Sequence, residues 1–166
     1  MASIFSKLPN LKRWVTCTTR APRSGEVDGE QYFFKSPDEF KQMVDNNELV
    51  EYNEFAENFY GTPKAFAKDM LESGENILCA IDVNGAENVK KVFPEAHLIF
   101  VEAPSLEELR SRLLKRGTES PEYIEKRLAI VQSELDKKGQ FDAVFVNDDL
   151  KKCSEQITSY IQQFLK

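Results

Sequence analysis

The sequence predicts an α/β fold with a parallel sheet at its core. Three short apolar runs, ILCAID (77–82), HLIFVEA (97–103) and AVFVND (143–148), have the near-continuous hydrophobic character of strands buried on both faces. Segments with helical periodicity alternate with these runs, and that alternation is typical of doubly wound parallel sheets. With 166 residues, of which 41% are hydrophobic, a single domain over residues 1–166 is expected.

Ahead of these runs, WVTCT (14–18) is a weaker candidate for a fourth strand of the parallel sheet. Residues 26–60 differ from the rest, because EQYFF, LVEYNEF and NFYG are short, aromatic and partly alternating. That pattern predicts a small antiparallel sheet, and SPDE (36–39) begins a helix inside it with a capping box. We interpret 24–62 as a lobe inserted into the parallel architecture, able to close over a ligand.

Caps and apolar stripes predict the remaining helices. Each is expected to begin at a capping residue or a proline and to end near a glycine. The predicted starts are Thr62-Pro63, Ser105 with Glu108, Ser120-Pro121 and Leu150, and the first three helices end at Gly74, Gly117 and Gly139.

Composition excludes several classes of protein. A net charge of −6 argues against a nucleic-acid-binding protein, because phosphate backbones require broad basic faces. The three cysteines are far apart and form no CxxC pair, which fits the reducing cytoplasm. Residues 1–14 do not resemble a signal peptide, and no apolar run approaches membrane-spanning length, so no membrane partner is expected.

A short basic stretch stands out in this acidic chain. Arg20 and Arg23 flank Pro22, which disfavours a helix, so both arginines are predicted to lie on a loop. The next acid in the chain is Glu26. Two guanidinium groups held close together repel each other unless an anion joins them, and their fork matches a phosphate group. The alternative is a solvated basic turn.

Further polar residues follow the predicted strands, where open α/β sheets bind ligands. Asp82 follows ILCAI, and Asn147 follows AVFV. A carboxylate after four apolar strand residues resembles the position that holds Mg²⁺ in nucleotide-binding enzymes. An aspartate at such a position also commonly caps a turn. Both interpretations of Asp82 stay open from sequence.

A third cluster contains Arg112, Arg116 and Arg127. The first two are four residues apart on one predicted helix and share a face, and Gly117 separates them from the third. Such a hairpin could bring arginines over a phosphoryl group in transfer and stabilise its developing charge. The alternative is a solvated helix face paired with neighbouring glutamates.

Five stretches of the chain follow one another in a recognisable order and spacing. They are TTRAPRSGEVDGEQYFF, ELVEYNEFAENFYGTPKAF, IDVNGAENVKK, PSLEELRSRLLKRGTES and VFVNDDL. Together they resemble the guanylate kinase family, from about Phe5 to the C-terminus. The resemblance implies a P-loop-kinase-like parallel core, a GMP-binding lobe at 24–62 and a helical lid at 111–127.

The resemblance also implies the reaction ATP + GMP to ADP + GDP in purine nucleotide metabolism, with Mg²⁺ accompanying ATP. The implied GMP-binding residues are Thr16, Arg20, Arg23, Tyr32, Glu51, Tyr60, Thr62 and Asp82. The implied lid and catalytic arginines are Arg112, Arg116 and Arg127, and Asn147 matches an adenine contact. Glu51 suits guanine because a carboxylate accepts from N1–H and N2–H₂, whereas adenine presents an acceptor at N1.

The chain departs from the family pattern in two respects. Its seven glycines include no GxxxxGK[ST] phosphate loop, and Ala80 stands where the family usually has an acid. We therefore expect GMP binding but doubtful turnover by these residues alone. A first parallel strand is also expected to be missing, which would expose sheet edges and favour self-association.

Two other hypotheses remain open. One is a non-catalytic guanylate-kinase-like module that binds GMP or phosphorylated peptides as a scaffold domain. The other is an active kinase with an unorthodox ATP site.

Overall fold

The computed structural model describes residues 1–117 and 120–165. Seven α-helices, eight strands and one 3₁₀ turn lie within this part of the chain. In order they are α1 (Ala2–Lys7), β1 (Leu11–Arg13), β2 (Thr16–Thr18), β3 (Tyr32–Phe34), α2 (Pro37–Asp45), β4 (Leu49–Phe55), β5 (Asn58–Pro63), α3 (Lys64–Glu72), β6 (Asn76–Leu78), α4 (Val83–Val92), β7 (Ile99–Glu102), α5 (Leu106–Arg116), α6 (Pro121–Asp136), the 3₁₀ turn (Lys138–Gln140), β8 (Ala143–Val146) and α7 (Leu150–Gln162).

These elements form two compact units. The first, which we call the helical unit, combines Met1–Lys7 with Glu95–Phe164. The second, the strand-rich unit, is built on Leu8–Pro94. Both contain parallel strands and helices, so the predicted mixed α/β class is confirmed.

The strand-rich unit contains a four-stranded sheet with the order β3-β2-β5-β4. Its β2–β5 and β4–β5 pairs are antiparallel, as the sequence predicts for this lobe, but β2 and β3 pair in parallel. This difference arises because Thr16–Thr18 belongs to this sheet and not to the parallel one. The chain leaves the parallel pair of β1 and β6 after Leu11–Arg13, and the buried residues Trp14 and Val15 connect β1 to β2.

Strands β1 and β6 form a separate two-stranded parallel sheet in the same unit. The predicted strand 77–82 ends earlier than expected, at Leu78, because Asp82 caps α4 instead of continuing a ladder. The start of α3 also differs from prediction. Its cap is Pro63, which has no side-chain cap bond, since the hydroxyl of Thr62 donates to Glu51 instead.

A small aromatic core lies between α2 and the four-stranded sheet. Cys17, Phe40 and Leu49 are buried at its centre, and the rings of Phe40 and Phe59 stack with centroids 5.5 Å apart. Gly61 lets this core close: a Cβ there would lie 2.8 Å from Leu49 Cδ1 and 3.0 Å from Phe40 Cζ. The capping box predicted at Ser36 and Glu39 is present and fixes the start of α2.

The helical unit holds the second parallel pair, β7 with β8. Ser105 caps α5 as predicted, and Gly117 ends that helix in the left-handed conformation with φ of 63°. The predicted apolar stripe of α7 is buried at Cys153, Ile157 and Ile161. Within the described residues, every helix is too short or too polar to cross a bilayer.

Candidate functional site

In the loop between β2 and β3, several N–H groups donate to one acidic side chain, Glu26. Arg20 Nη2 donates to both carboxylate oxygens of Glu26, each at 3.0 Å, and Arg20 Nη1 donates to the Ala21 carbonyl at 2.6 Å. The backbone N–H of Arg23 also donates to Glu26, at 2.7 Å. Arg20 therefore has an internal counter-ion, which neither the predicted phosphate site nor the solvated basic turn includes, because the turn at Gly25, with φ of 83°, brings Glu26 back onto it.

Aromatic side chains surround the Arg20 guanidinium. Its Cζ lies 5.6 Å from the ring centroid of Tyr32 and 6.0 Å from that of Phe34, within the range of cation–π attraction. Tyr60 meets Tyr32 edge-to-face, with centroids 6.3 Å apart. The sheet produces this arrangement, because Tyr60 pairs with Thr18 in β2, the strand from which the arginine loop departs.

A buried carboxylate lies on β4 of the same sheet. Glu51 is 8% exposed, and the fully buried hydroxyl of Thr62 donates to it from the neighbouring strand. Burial raises the pKa of Glu51, and the nearby charge of Asp82 raises it further, while the Thr62 hydrogen bond lowers it. The result is a carboxylate fixed in position but sparingly hydrated, which suits the recognition of polar N–H groups.

The N-terminus of α4 closes against this carboxylate. Asp82 caps the helix, accepting from the backbone N–H of Gly85 at 2.8 Å, and its other oxygen accepts from Asn53 Nδ2 at 2.8 Å. Asn53 follows Glu51 by two residues on β4, so both point to the same face. A Cβ on Gly85 would lie 3.0 Å from Glu51 Cδ, so only glycine lets helix and carboxylate meet undisturbed.

Two further groups belong to this neighbourhood. Thr16 is buried on β2, in register with Tyr32 of β3. Cys79 follows β6, and burial together with the charge of Glu51 raises the pKa of its thiol to about 12. That thiol is therefore protonated at neutral pH and unsuited to nucleophilic attack.

All eight residues predicted for the GMP side lie in the strand-rich unit. The four-stranded sheet and its loop hold seven of them, and Asp82 starts α4: Thr16, Arg20, Arg23, Tyr32, Glu51, Tyr60, Thr62 and Asp82. Asp82 acts as a helix cap here, which is one of the two interpretations left open by the sequence.

The predicted ATP-side residues lie in the helical unit. Arg112 donates to Glu108 at 2.7 Å and to the Asn147 carbonyl at 2.6 Å, so it ties α5 to the end of β8. Arg127 pairs with Glu134 at 2.8 Å on α6. The side chain of Arg116 lies outside the described residues, as do two residues of the predicted lid 111–127.

Asn147 has an unusual buried atom. Its Oδ1 is inaccessible to solvent and has no hydrogen-bond partner among the described residues. Its backbone N–H donates to the Glu102 carbonyl at 2.8 Å, which fixes the residue at the end of the β7–β8 pair. A buried oxygen of this kind is costly unless a donor reaches it.

Sequence reasoning missed three residues of the site: Glu26, Asn53 and Gly85. Glu26 is the first acid after the two arginines, and its spacing from them was the available signal. Asn53 lies two residues after Glu51 on β4, and the alternation of side chains along a strand was the available signal for it. Gly85 gives no pattern of its own, because its close approach to Glu51 exists only once α4 packs on β4.

Similarity to known proteins extends over nearly the whole chain. The sequence profile described as Guanylate kinase matches residues 2–164. The chain belongs to the guanylate kinase family. Its relatives include the guanylate kinase of Prochlorococcus marinus (strain NATL2A), which is 44% identical over 147 residues, covering 89% of this chain and 79% of the relative.

A second relative, the guanylate kinase of Caldanaerobacter subterraneus subsp. tengcongensis, is 43% identical over 159 residues, which cover 96% of this chain and 77% of the relative. The crystal structure of guanylate kinase from Anaplasma phagocytophilum superimposes with a TM-score of 0.79 at 30% identity, covering 99% of this chain and 81% of that one. The guanylate kinase resemblance therefore spans both units.

Proposed function

We propose that this chain is a guanylate kinase-type phosphotransferase of purine nucleotide metabolism, ATP + GMP to ADP + GDP, and that it binds GMP in the strand-rich unit. One observation carries the proposal: a single sheet holds the Arg20 loop at one strand end and the buried Glu51–Thr62 pair on neighbouring strands. In this proposal residues 24–62 are the GMP-binding lobe.

The monophosphate would bind at the arginine loop. Arg20 and Arg23 supply positive charge, and Tyr32 and Tyr60 stand beside Arg20 with hydroxyl groups able to donate. A planar guanidinium fork gives a phosphate both charge and direction, which a lysine would not.

The guanine base would bind at Glu51. The ionised carboxylate accepts from N1–H and N2–H₂, with Thr62, Thr16 and Asp82 completing the polar surroundings. Adenine places an acceptor where guanine has N1–H, so AMP leaves a buried carboxylate opposite a lone pair. Sites that leave such a group unmatched discriminate by roughly 10⁴–10⁵-fold.

The ATP side is assigned to the helical unit. Arg112, Arg116 and Arg127 would act as catalytic arginines in a lid at 111–127, and the buried Asn147 Oδ1 would accept from the adenine amino group. No group of three His, Cys, Asp or Glu side chains within the described residues is placed to hold a metal. We therefore assign no residue to Mg²⁺, which would arrive with ATP.

The experiment that tests the proposal is calorimetric titration of the chain with GMP and with AMP. GMP is expected to bind, and AMP to bind far more weakly. The variant Glu51→Gln should lose most of this preference, since an amide cannot accept from both guanine donors. Equal affinity of the natural chain for the two nucleotides would refute the guanine site.

Turnover is a separate measurement. The 166 residues contain no GxxxxGK[ST] motif, so the main cradle for the triphosphate is absent from them. A coupled assay of ADP release with ATP and GMP is expected to stay near the blank for these residues alone. A rate well above the blank would show that another part of the chain replaces the cradle.

We also propose a cytoplasmic location and self-association. The three cysteines are free thiols, which suits a reducing compartment. The valines of the β7–β8 pair are exposed, and an apolar strand edge can pair with a second copy.

A further inference from the structure

Glu26 binds both arginine positions of the β2–β3 loop, and the proposed function gives it no role. It binds the guanidinium of Arg20 through both oxygens and the backbone N–H of Arg23 through one of them. Its own backbone N–H donates to the Arg23 carbonyl at 3.1 Å. Glu26 therefore fixes both arginine positions at once.

This ion pair is shielded from solvent. The side chains of Arg20 and Glu26 are only 12% and 16% exposed. Such a pair does little for net stability, because desolvation offsets much of the attraction, but it strongly fixes geometry. The neighbouring arginines hold the pKa of Glu26 below its ordinary value, so it is ionised at neutral pH.

The pairing leaves part of the Arg20 fork available. A guanidinium has five N–H donors, and the hydrogen bonds to Glu26 and Ala21 use at most three of them. The rings of Tyr32 and Phe34 restrict the same guanidinium. The remaining donors therefore have a set direction before any ligand arrives.

We infer that Glu26 is a positioning residue for phosphate recognition, holding Arg20 and the Arg23 backbone in the geometry that receives the monophosphate of GMP. This rests on the proposed function. A carboxylate beside an anion site lowers its attraction for phosphate, so Glu26 weakens the charge of the site while it orders the arginine. We infer that the ordering outweighs the repulsion, because a mobile arginine would lose side-chain entropy on binding.

The test compares Glu26→Gln with Glu30→Gln, which changes an exposed acid of the same loop that accepts a hydrogen bond from Gln31 Nε2 at 3.5 Å. Both substitutions remove one negative charge, but only the first removes the ion pair. GMP dissociation constants are measured by calorimetry, and thermal unfolding checks that both variants fold. Glu26→Gln is expected to weaken GMP binding about tenfold, while Glu30→Gln stays within about twofold or binds slightly tighter.

A second measurement does not depend on affinity. The guanidinium nitrogens of Arg20 are followed by ¹⁵N nuclear magnetic resonance and assigned by their loss in Arg20→Gln. Held by Glu26, they should give resolved Nη signals without GMP. In Glu26→Gln those signals should average, and added GMP should restore them.

The outcomes separate cleanly. Weaker GMP binding together with averaged Arg20 signals supports the inference. Unchanged or tighter GMP binding in Glu26→Gln overturns the inference, because charge repulsion then outweighs the ordering of Arg20. Weaker GMP binding while the Arg20 signals stay resolved also overturns it. If the natural chain does not bind GMP at all, the proposed function itself fails and the inference falls with it.

Discussion

Some residues that we propose for GMP recognition also lower the stability of the folded protein. Glu51 is the clearest example, because its carboxylate is buried beside Asp82 and accepts a hydrogen bond from the Thr62 hydroxyl. A group in such surroundings disfavours its own charge, yet the charged form is the one that would accept from guanine in the proposed function.

This conflict predicts an opposite pH response of stability and binding. The pKa of Glu51 is raised in the folded protein above its ordinary value of 4.5, so the folded state takes up a proton before the unfolded state does. As pH falls through the raised pKa toward 4.5, the unfolding free energy of the natural chain should increase relative to Glu51→Gln. The slope is at most about 1.4 kcal/mol per pH unit.

GMP binding should weaken over the same pH interval, because protonated Glu51 cannot accept from both N–H groups. Chemical denaturation and calorimetry across this interval check the two trends. If the difference in unfolding free energy between the natural chain and Glu51→Gln falls or stays flat as pH is lowered, the charge of Glu51 is not the source of the conflict.

At the scale of elements, the contact of α4 with β4 determines the shape of the proposed base site. Gly85 occupies the first turn of α4, where alanine would strengthen the helix by up to about 1 kcal/mol. Its added Cβ, however, would lie 3.0 Å from the Glu51 carboxylate. Gly85→Ala is therefore expected to keep or raise thermal stability and to weaken GMP binding at least several-fold.

The matched control is Gly139→Ala, where an added Cβ meets nothing within 4 Å. It should leave GMP affinity unchanged. Calorimetry on both variants decides the matter, and unchanged affinity in Gly85→Ala would mean that the carboxylate shifts at no cost.

The hairpin that joins β4 to β5 carries local strain. Ala56 and Glu57 have φ of 49° and 64°, in the left-handed region that glycine favours. Glu57→Gly should stabilise the protein by about 1 kcal/mol, because it removes the clash of Cβ with the backbone. Glu57→Ala keeps the Cβ and should bring no such gain. Unfolding midpoints in urea compare the two, and equal gains would assign the effect to charge.

At the scale of the whole molecule, two of the parallel strand pairs form separate two-stranded sheets. β1 pairs with β6 in the strand-rich unit, and β7 with β8 in the helical unit. In the second pair Val101, Val144 and Val146 are 49%, 41% and 47% exposed. Apolar strands that stay this exposed favour association with another strand.

Sedimentation should therefore show mass increasing with protein concentration. Val144→Lys is expected to reduce that association, because a charge on the strand opposes pairing. Ser159→Lys, an added charge at an exposed position of α7, serves as the control. A monomer at every concentration, in the natural chain and both variants, would remove self-association from the proposal.

Local rules in the sequence predicted the helices well. Ser36 with Glu39 and Ser105 with Glu108 begin α2 and α5, and Gly117 ends α5, because these signals act within one helical turn. The eight residues predicted for the GMP side came from motifs whose order resembles the family, and the fold brings them into one unit. Their neighbours Glu26, Asn53 and Gly85 were not, since each acts through a contact between separate elements.

By itself the sequence determined the α/β class, the helix caps and the functional groups available to the site. These features depend on composition, periodicity and short-range hydrogen bonds, which involve residues close together along the chain. Tertiary structure alone decided which partner each group received. It placed Thr16–Thr18 in the four-stranded sheet instead of the parallel sheet expected from the sequence. It also made Thr62 a hydrogen-bond donor to Glu51 instead of a helix cap, and it gave Arg20 an internal counter-ion. The physical reason is that a buried polar or charged group bonds to whatever the packed fold brings within reach, and distance along the chain does not specify that.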